Sequence, residues 1–142
     1  MVPCTPPPWG TLIDVDLRAG RIVWQVPLGS TEGLTPWPLV RDFGMPGMGG
    51  PIATAGDLVL VGAAIDSYFR AFDIETGREL WKYKLPAGGQ ATPMTYRAGK
   101  DERQYIVISA GGHGALGTPR GDYLIAFALP AGTAAARNIA PH

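Results

Sequence analysis

Apolar and polar positions alternate along most of this chain with a period of two, the spacing of half-buried strands and not of an amphipathic helix. Runs of this kind cover residues 11–16, 21–28, 51–54, 58–64, 68–73, 78–85, 91–96, 105–110 and 123–129. Between the middle four lie Ala55-Gly56-Asp57, Ile65-Asp66-Ser67 and Glu75-Thr76-Gly77, each built from residues that favour tight turns. The pattern predicts an all-β chain of short antiparallel strands. Within it, residues 51–85 form one complete four-stranded sheet, strands A to D.

The stretch from Ala71 to Trp81 occurs twice. Asp73, Gly77 and Trp81 overlay on Asp16, Gly20 and Trp24, and Val-Pro-Leu-Gly after the first tryptophan matches Lys-Leu-Pro-Ala-Gly after the second. Gly20 and Gly77 supply the positive φ of the turn, while Asp73 and Thr76 are placed to hydrogen-bond to its backbone. A repeat of strand, Asp/Gly turn and Trp strand predicts blades of a β-propeller; a sandwich with two similar hairpins is the alternative. A buried indole covers about 150–250 Å², or roughly 4–6 kcal/mol as an upper bound at about 25 cal/mol per Å². Trp24 and Trp81 are therefore expected to be the main packing pegs between neighbouring sheets.

Counting strands gives C and D of one blade, a whole second blade, and A to C of a third. The expected organisation is a partial propeller of about two and a half blades over residues 1–130, followed by a disordered alanine-rich tail at 131–142. Bare sheet edges are expected at both ends, so such a piece is not expected to be a complete working protein. Because successive strands reverse direction, B–C turns and D–A connections share one rim, and A–B and C–D turns share the other. The first rim receives the proline lead with Cys4 and Trp9, the long loop 29–50, Asp66, the Ala87-Gly88-Gly89-Gln90 connection and the glycine-rich loop around His113. The second receives only short turns and the charge run Arg97–Arg103, so function is expected on the first rim.

Composition narrows the chemistry. The 142 residues hold 12 basic and 12 acidic side chains, so no charge excess points to nucleic acid or an anionic membrane surface. The 20 glycines and 14 prolines fit a turn-dense β chain. Cys4 is the single cysteine, which excludes an intrachain disulfide. No run is long enough for a membrane helix, and Met1-Val2-Pro3-Cys4 does not open a signal peptide, so neither a signal nor an anchor is expected in this chain. No zinc-ligand spacing, Gly-x-Ser-x-Gly or phosphate loop is present, and no metal ligand is assigned. Two residues stand out. His113 sits between glycines that allow the backbone to approach a ligand closely, with capping of loop carbonyls as its structural alternative. Asp66 is the weaker candidate, because an Asp in a B–C turn more often closes a local Asx-turn.

These residues resemble a known family. Pro-Cys-Thr-Pro-Pro-Pro-Trp-Gly at 3–10, Ala-x-Asp-x-x-Thr-Gly-x-x-x-Trp at 71–81 and Leu-Pro-Ala-Gly-Gly-Gln-Ala-Thr-Pro-Met-Thr-Tyr at 85–96 carry the likeness. Ile-Ser-Ala-Gly-Gly-His-Gly at 108–114 and Gly-Asp-Tyr-Leu-Ile-Ala-Phe-Ala-Leu-Pro at 121–130 complete it. They resemble the C-terminal portion of pyrroloquinoline quinone (PQQ)-dependent dehydrogenases of the membrane-bound glucose dehydrogenase type, which include quinate/shikimate dehydrogenases. The resemblance implies an eight-bladed quinoprotein propeller holding PQQ and Ca²⁺ or Mg²⁺. It also implies oxidation of a sugar or cyclic polyol at the periplasmic face of the bacterial inner membrane, with ubiquinone as electron acceptor. His113 and Asp66 match family positions close to cofactor and substrate. The family's catalytic aspartate, most PQQ contacts, the metal ligands and the membrane anchor belong to parts outside this chain, making the missing blades its first partner. The first docking motif departs from the pattern, with Asp14 and Ala19 in the places of alanine and threonine. The competing readings are a non-enzymatic scaffold propeller, like the outer-membrane assembly lipoproteins, and a fragment of a PQQ alcohol dehydrogenase.

Overall fold

A computed structural model describes residues 4–33, 35–36, 38–98 and 103–128. Three antiparallel sheets follow one another in chain order. The first pairs β1 (Thr11–Asp16) with β2 (Arg21–Pro27), and the second orders β3 (Ile52–Ala53), β4 (Leu58–Val61), β5 (Tyr68–Asp73) and β6 (Glu79–Lys84). The third holds β7 (Met94–Ala98), β8 (Arg103–Ala110) and β9 (Tyr123–Ala128). These are the C–D, A–D and A–C strand sets expected from the sequence. The expected tail at 131–142 lies outside the described residues.

Boundaries shifted where proline or a side-chain bond intervened. The first strand of the third sheet begins at Met94, not at residue 91, because Thr92 Oγ1 accepts the Gly50 N–H at 3.1 Å and Pro93 has no N–H to give a ladder. Arg97 and Arg103, expected in a solvated turn, belong to paired strands, with Arg97 opposite Gln104 and Ala98 opposite Arg103. A 3₁₀ turn at Gly114–Leu116 follows His113, where no helix was expected.

The inner strands of the middle sheet, β4 and β5, are buried on both faces, and their alternation divides the core. Val59, Val61 and Phe72 face the first sheet and join Leu12, Leu28 and Met45, while Leu60, Phe69 and Ala71 face the third and join Leu85, Ile108 and Ala110. Such a sheet reads in sequence as a continuous apolar run, as β4 does with Leu-Val-Leu-Val.

The repeated motif has the same local geometry in both copies. Asp16 Oδ1 accepts the N–H groups of Arg18 and Ala19 at 3.0 Å each, as Asp73 Oδ1 accepts those of Glu75 at 3.2 Å and Thr76 at 2.9 Å. Gly20 and Gly77 close the turns at φ +63° and +69°. A bulge recurs at the same place, opposite Asp14/Val15 and opposite Ala71/Phe72, so each tryptophan's own strand carries one extra residue, Val23 before Trp24 and Leu80 before Trp81. Trp24 then docks onto the second copy. Its indole N–H donates to the Ile74 carbonyl at 2.9 Å, and a Cβ on Gly77 would lie 2.6 Å from an indole ring carbon. Trp81 reaches the next sheet through an edge contact with Phe127 at 5.3 Å, but it stays 41% exposed and no described residue accepts its indole N–H.

The two turn glycines separate the cost of backbone conformation from the cost of docking. Gly77→Ala meets both a left-handed φ and the Trp24 ring, whereas a Cβ on Gly20 meets nothing within 4 Å. We expect Gly20→Ala to lose about 1–2 kcal/mol, the left-handed cost alone, and Gly77→Ala to lose clearly more. Urea unfolding of the two variants checks this; equal losses would mean that Trp24 does not rest on Gly77.

Candidate functional site

The long connection between β2 and β3 lies along the rim formed by the B–C turn and D–A connection of the middle sheet. Met45 N–H donates to Leu28 O at 2.7 Å, Met48 N–H to Ala63 O at 3.1 Å, and Ile65 N–H to Pro46 O at 3.1 Å. The proline lead joins the same layer, with Trp9 N–H on Phe43 O at 3.1 Å and the two rings edge to face at 5.9 Å. The parity expected from strand direction therefore holds: these loops meet on one rim.

The His113 loop is locked onto the connection that leads from β6 to β7. Gly112 N–H donates to Gly88 O at 2.8 Å, Gly88 N–H to Pro119 O at 3.0 Å, and Gly121 N–H to Gly111 O at 3.2 Å. Gly112 needs to be glycine: φ is +72°, and a Cβ would lie 2.2 Å from Pro119 O. Thr118 Oγ1 accepts the His113 N–H at 2.7 Å and donates to Gln90 Oε1 at 3.3 Å, and the Gln90 amide reaches Ala64 O at 3.4 Å. Gln90 thereby spans the loop and the B–C turn. The sequence reading named its segment without giving this side chain a role. Its signal was being the one long polar side chain in a stretch of alanine and glycine.

Within this frame the imidazole of His113 makes no hydrogen bond to a described residue, and its Nδ1 is buried. Capping of loop carbonyls is done by the backbone and Thr118, not by the ring. A buried ring nitrogen without a partner costs on the order of 1–3 kcal/mol, which a ligand's polar group would recover.

Asp66 stands on the same rim, and five donors occupy its carboxylate: Ser30 N–H at 2.7 Å, Ser30 Oγ at 3.2 Å, Tyr68 N–H at 3.3 Å, and both terminal nitrogens of Arg70. Burial pushes the Asp66 carboxyl up, but the Arg70 guanidinium and the two backbone N–H groups outweigh it and hold the acid below its ordinary range. Arg70 also donates from Nε to Glu79 at 3.0 Å. Next to it, both oxygens of Glu32 accept the Tyr68 hydroxyl at 2.8 Å, and the Lys84 ammonium lies 4.4 Å from the Tyr68 ring centre. Burial first, and then the Glu32 carboxylate, push the Tyr68 phenol up to about 12. Ser30 and Glu32 thus pin the start of the long loop to the middle sheet. Arg70 was missed in the sequence, although its place between Tyr68 and Phe72 in an alternating strand puts a charge on a buried face.

The structure does not bring Asp66 and His113 into contact; Ala64, Gln90 and Thr118 lie between them. Among the described residues no group of three or more His, Cys, Asp and Glu side chains is placed to hold a metal ion, and no helix is long and apolar enough to cross a membrane. Cys4 is exposed and unpaired as a disulfide.

Comparison with known proteins agrees with this geometry. The family described as PQQ: Glucose/ethanol/alcohol dehydrogenase, beta-propeller domain, matches residues 1–106. Quinoprotein glucose dehydrogenase A of Acinetobacter calcoaceticus is 49% identical over 133 residues, covering 91% of this chain and 16% of its own length. Quinate/shikimate dehydrogenase (quinone) of Acinetobacter baylyi (strain ATCC 33305 / BD413 / ADP1) is 47% identical over 133 residues, covering 90% of this chain and 16% of that protein. A solved europium-containing methanol dehydrogenase superposes with a TM-score of 0.54 at 32% identity, over 72% of this chain and 15% of that one. This chain therefore spans about one-sixth of the curated relatives it matches. With three successive antiparallel sheets, the first docked on the second by an indole, and a family match over most of its length, the chain belongs to the β-propeller family of PQQ-dependent glucose, ethanol and alcohol dehydrogenases.

Proposed function

We propose that this chain supplies C-terminal blades, about two and a half of them, to a PQQ-dependent dehydrogenase that oxidises glucose or a related sugar or cyclic polyol. The complete enzyme in this reading works at the periplasmic face of the inner membrane and delivers electrons to ubiquinone. The substrate class rests on relatives named for glucose and for quinate and shikimate. The site rests on one observation, the buried and unpartnered Nδ1 of His113 on the rim that gathers every long loop.

The residues present fit part of a cofactor site. His113 offers one hydrogen bond to a substrate hydroxyl or a cofactor carboxylate, held in place from below by Thr118 and Gln90. The carboxylate of Asp66 is already saturated, so its part near the cofactor is to position the long loop. Bound PQQ supplies the electron acceptor, and its Ca²⁺ or Mg²⁺ takes ligands from blades outside this chain. The proton-abstracting base likewise belongs to an earlier blade, which leaves His113 a binding role.

Two variants of the complete propeller carrying this sequence separate these roles. His113→Asn should raise the substrate or PQQ concentration for half-maximal rate about 10- to 150-fold, the worth of roughly 1.5–3 kcal/mol for one charge-assisted bond, with a smaller fall in saturated turnover. Unchanged affinities with a lower melting temperature would make His113 a structural loop residue. Asp66→Asn should instead act on stability, costing about 3–5 kcal/mol by leaving Arg70 buried with half its partners gone.

The pH dependence of that loss has a definite sign. The folded acid lies below the ordinary value of about 3.9, so the stabilisation from Asp66 is complete above that pH and fades as pH falls through the lower folded value. Denaturation midpoints should therefore drop below about pH 4 more steeply in the native sequence than in Asp66→Asn. Parallel curves would show that folding does not lower the Asp66 carboxyl below its ordinary range.

A further inference from the structure

The connection from β6 to β7 is fastened to two loops at once. On one side Thr92 Oγ1 accepts the Gly50 N–H at 3.1 Å, and a Cβ on Gly49 would lie 2.4 Å from the Gln90 carbonyl oxygen, so the long loop rests on it. On the other side Gly88 exchanges backbone bonds with the His113 loop. Gln90 is the side chain that bonds in both directions. Its Oε1 accepts the Thr118 hydroxyl at 3.3 Å, and its Nε2 donates to Ala63 O at 3.5 Å and Ala64 O at 3.4 Å. Ala63 O also accepts the Met48 N–H at 3.1 Å, so the amide ends where the long loop is attached.

The chemistry of the link admits few substitutes. Thr118 Oγ1 accepts the His113 N–H at 2.7 Å, and its single proton has its nearer acceptor in Gln90 Oε1, the other being His113 O at 3.5 Å. An amide then presents an acceptor to Thr118 and a donor to the two carbonyls; a carboxylate would face those carbonyls with nothing to donate. The space for the bond comes from a glycine that its own backbone does not require. Gly88 lies outside the left-handed region, yet a Cβ on it would come within 2.3 Å of Gln90 Oε1 and 2.5 Å of Thr118 Oγ1. Since the imidazole of His113 makes no hydrogen bond of its own to a described residue, its place is set by the backbone of residue 113, and the side chain bonded to that N–H is Thr118.

We infer that Gly88, Gln90 and Thr118 are positioning residues for binding at His113, fixing that residue relative to the long loop so that a ligand meets the two as one wall. The inference rests on the binding role proposed for His113.

Hydrogen exchange and steady-state kinetics on the complete propeller carrying this sequence test it. Thr118→Val removes the hydroxyl at nearly constant size, Gln90→Glu removes the donor, and Gly88→Ala fills the space of the bond. Without cofactor, each should speed exchange of the His113 N–H about tenfold or more. In the presence of PQQ, each should raise the substrate or PQQ concentration for half-maximal rate about tenfold, with a smaller fall in saturated turnover. Thr118→Ser should recover most of what Thr118→Val loses. Added to His113→Asn, Gln90→Glu should cost little further affinity, because both act through one ring. Thr118→Val decides the matter if the other variants do not fold. Unaltered exchange at His113 would overturn the inference. Unchanged affinities in Thr118→Val and Gln90→Glu, beside a weakly binding His113→Asn, would overturn it and leave the role of His113 standing, as would additive losses in the double variant. Unchanged affinity in His113→Asn itself would overturn both.

Discussion

One aromatic ring laid on the backbone of the next sheet's turn sets the order of this structure. Trp24 fixes three things at once: the distance between sheets, through the ring on Gly77; their register along the strands, through the indole bond to Ile74; and the identity of residue 77. A hydrophobic contact alone would give attraction without register, because burial is non-directional. The hydrogen bond supplies the direction, and the absent Cβ allows a ring to sit where any other residue would exclude it. The recurring bulge belongs to the same device, since the extra residue immediately before each tryptophan, Val23 or Leu80, re-aims that side chain.

With spacing set at one rim, the opposite rim is released from holding the sheets together. It is built in another way, by stacked layers of backbone in which loops donate N–H groups to the carbonyls of the layer beneath. Buried loops are costly unless their peptide groups find partners, and the long connection finds them at the Leu28 and Ala63 carbonyls and at the Ile65 N–H. Among the described residues, His113 Nδ1 is the buried side-chain nitrogen left without a partner, which gives it weight as a point of contact with something else.

Strand order, the three-sheet division, the rim that gathers the loops and the docking of Trp24 were all legible in the sequence, because each follows from a period-two pattern or a repeated turn. What escaped was set by partners distant in the chain. Strand 94–98 begins late because Gly50, more than forty residues earlier, claims Thr92. Arg70 is buried because Asp66, Glu79 and the loop at Ser30 surround it, and no local pattern announces a charge that folding will enclose. Gln90 and Thr118 acquire their roles from each other across a glycine-rich connection. Trp81 was expected to dock as Trp24 does; among the described residues its ring meets Phe69, Tyr83 and, on the next sheet, Phe127.

The buried Asp66–Arg70 pair shows why the loop rim is held by charge and not by more apolar packing. Replacing such a pair with hydrophobic residues is often neutral or stabilising, so its energy alone does not explain it. Its geometry does. The carboxylate faces a backbone N–H at Ser30 and another at Tyr68, donors that an apolar side chain would leave unpaired at about 1–3 kcal/mol each. A neutral acceptor would satisfy them but would leave the buried guanidinium only the part-exposed Glu79 as counter-charge, against the enclosed one that Asp66 supplies between the loop and β5. The acid, the base and the start of the long loop therefore form a unit whose members are each required by the others. That unit fixes where the loop begins its path along the rim on which His113 sits.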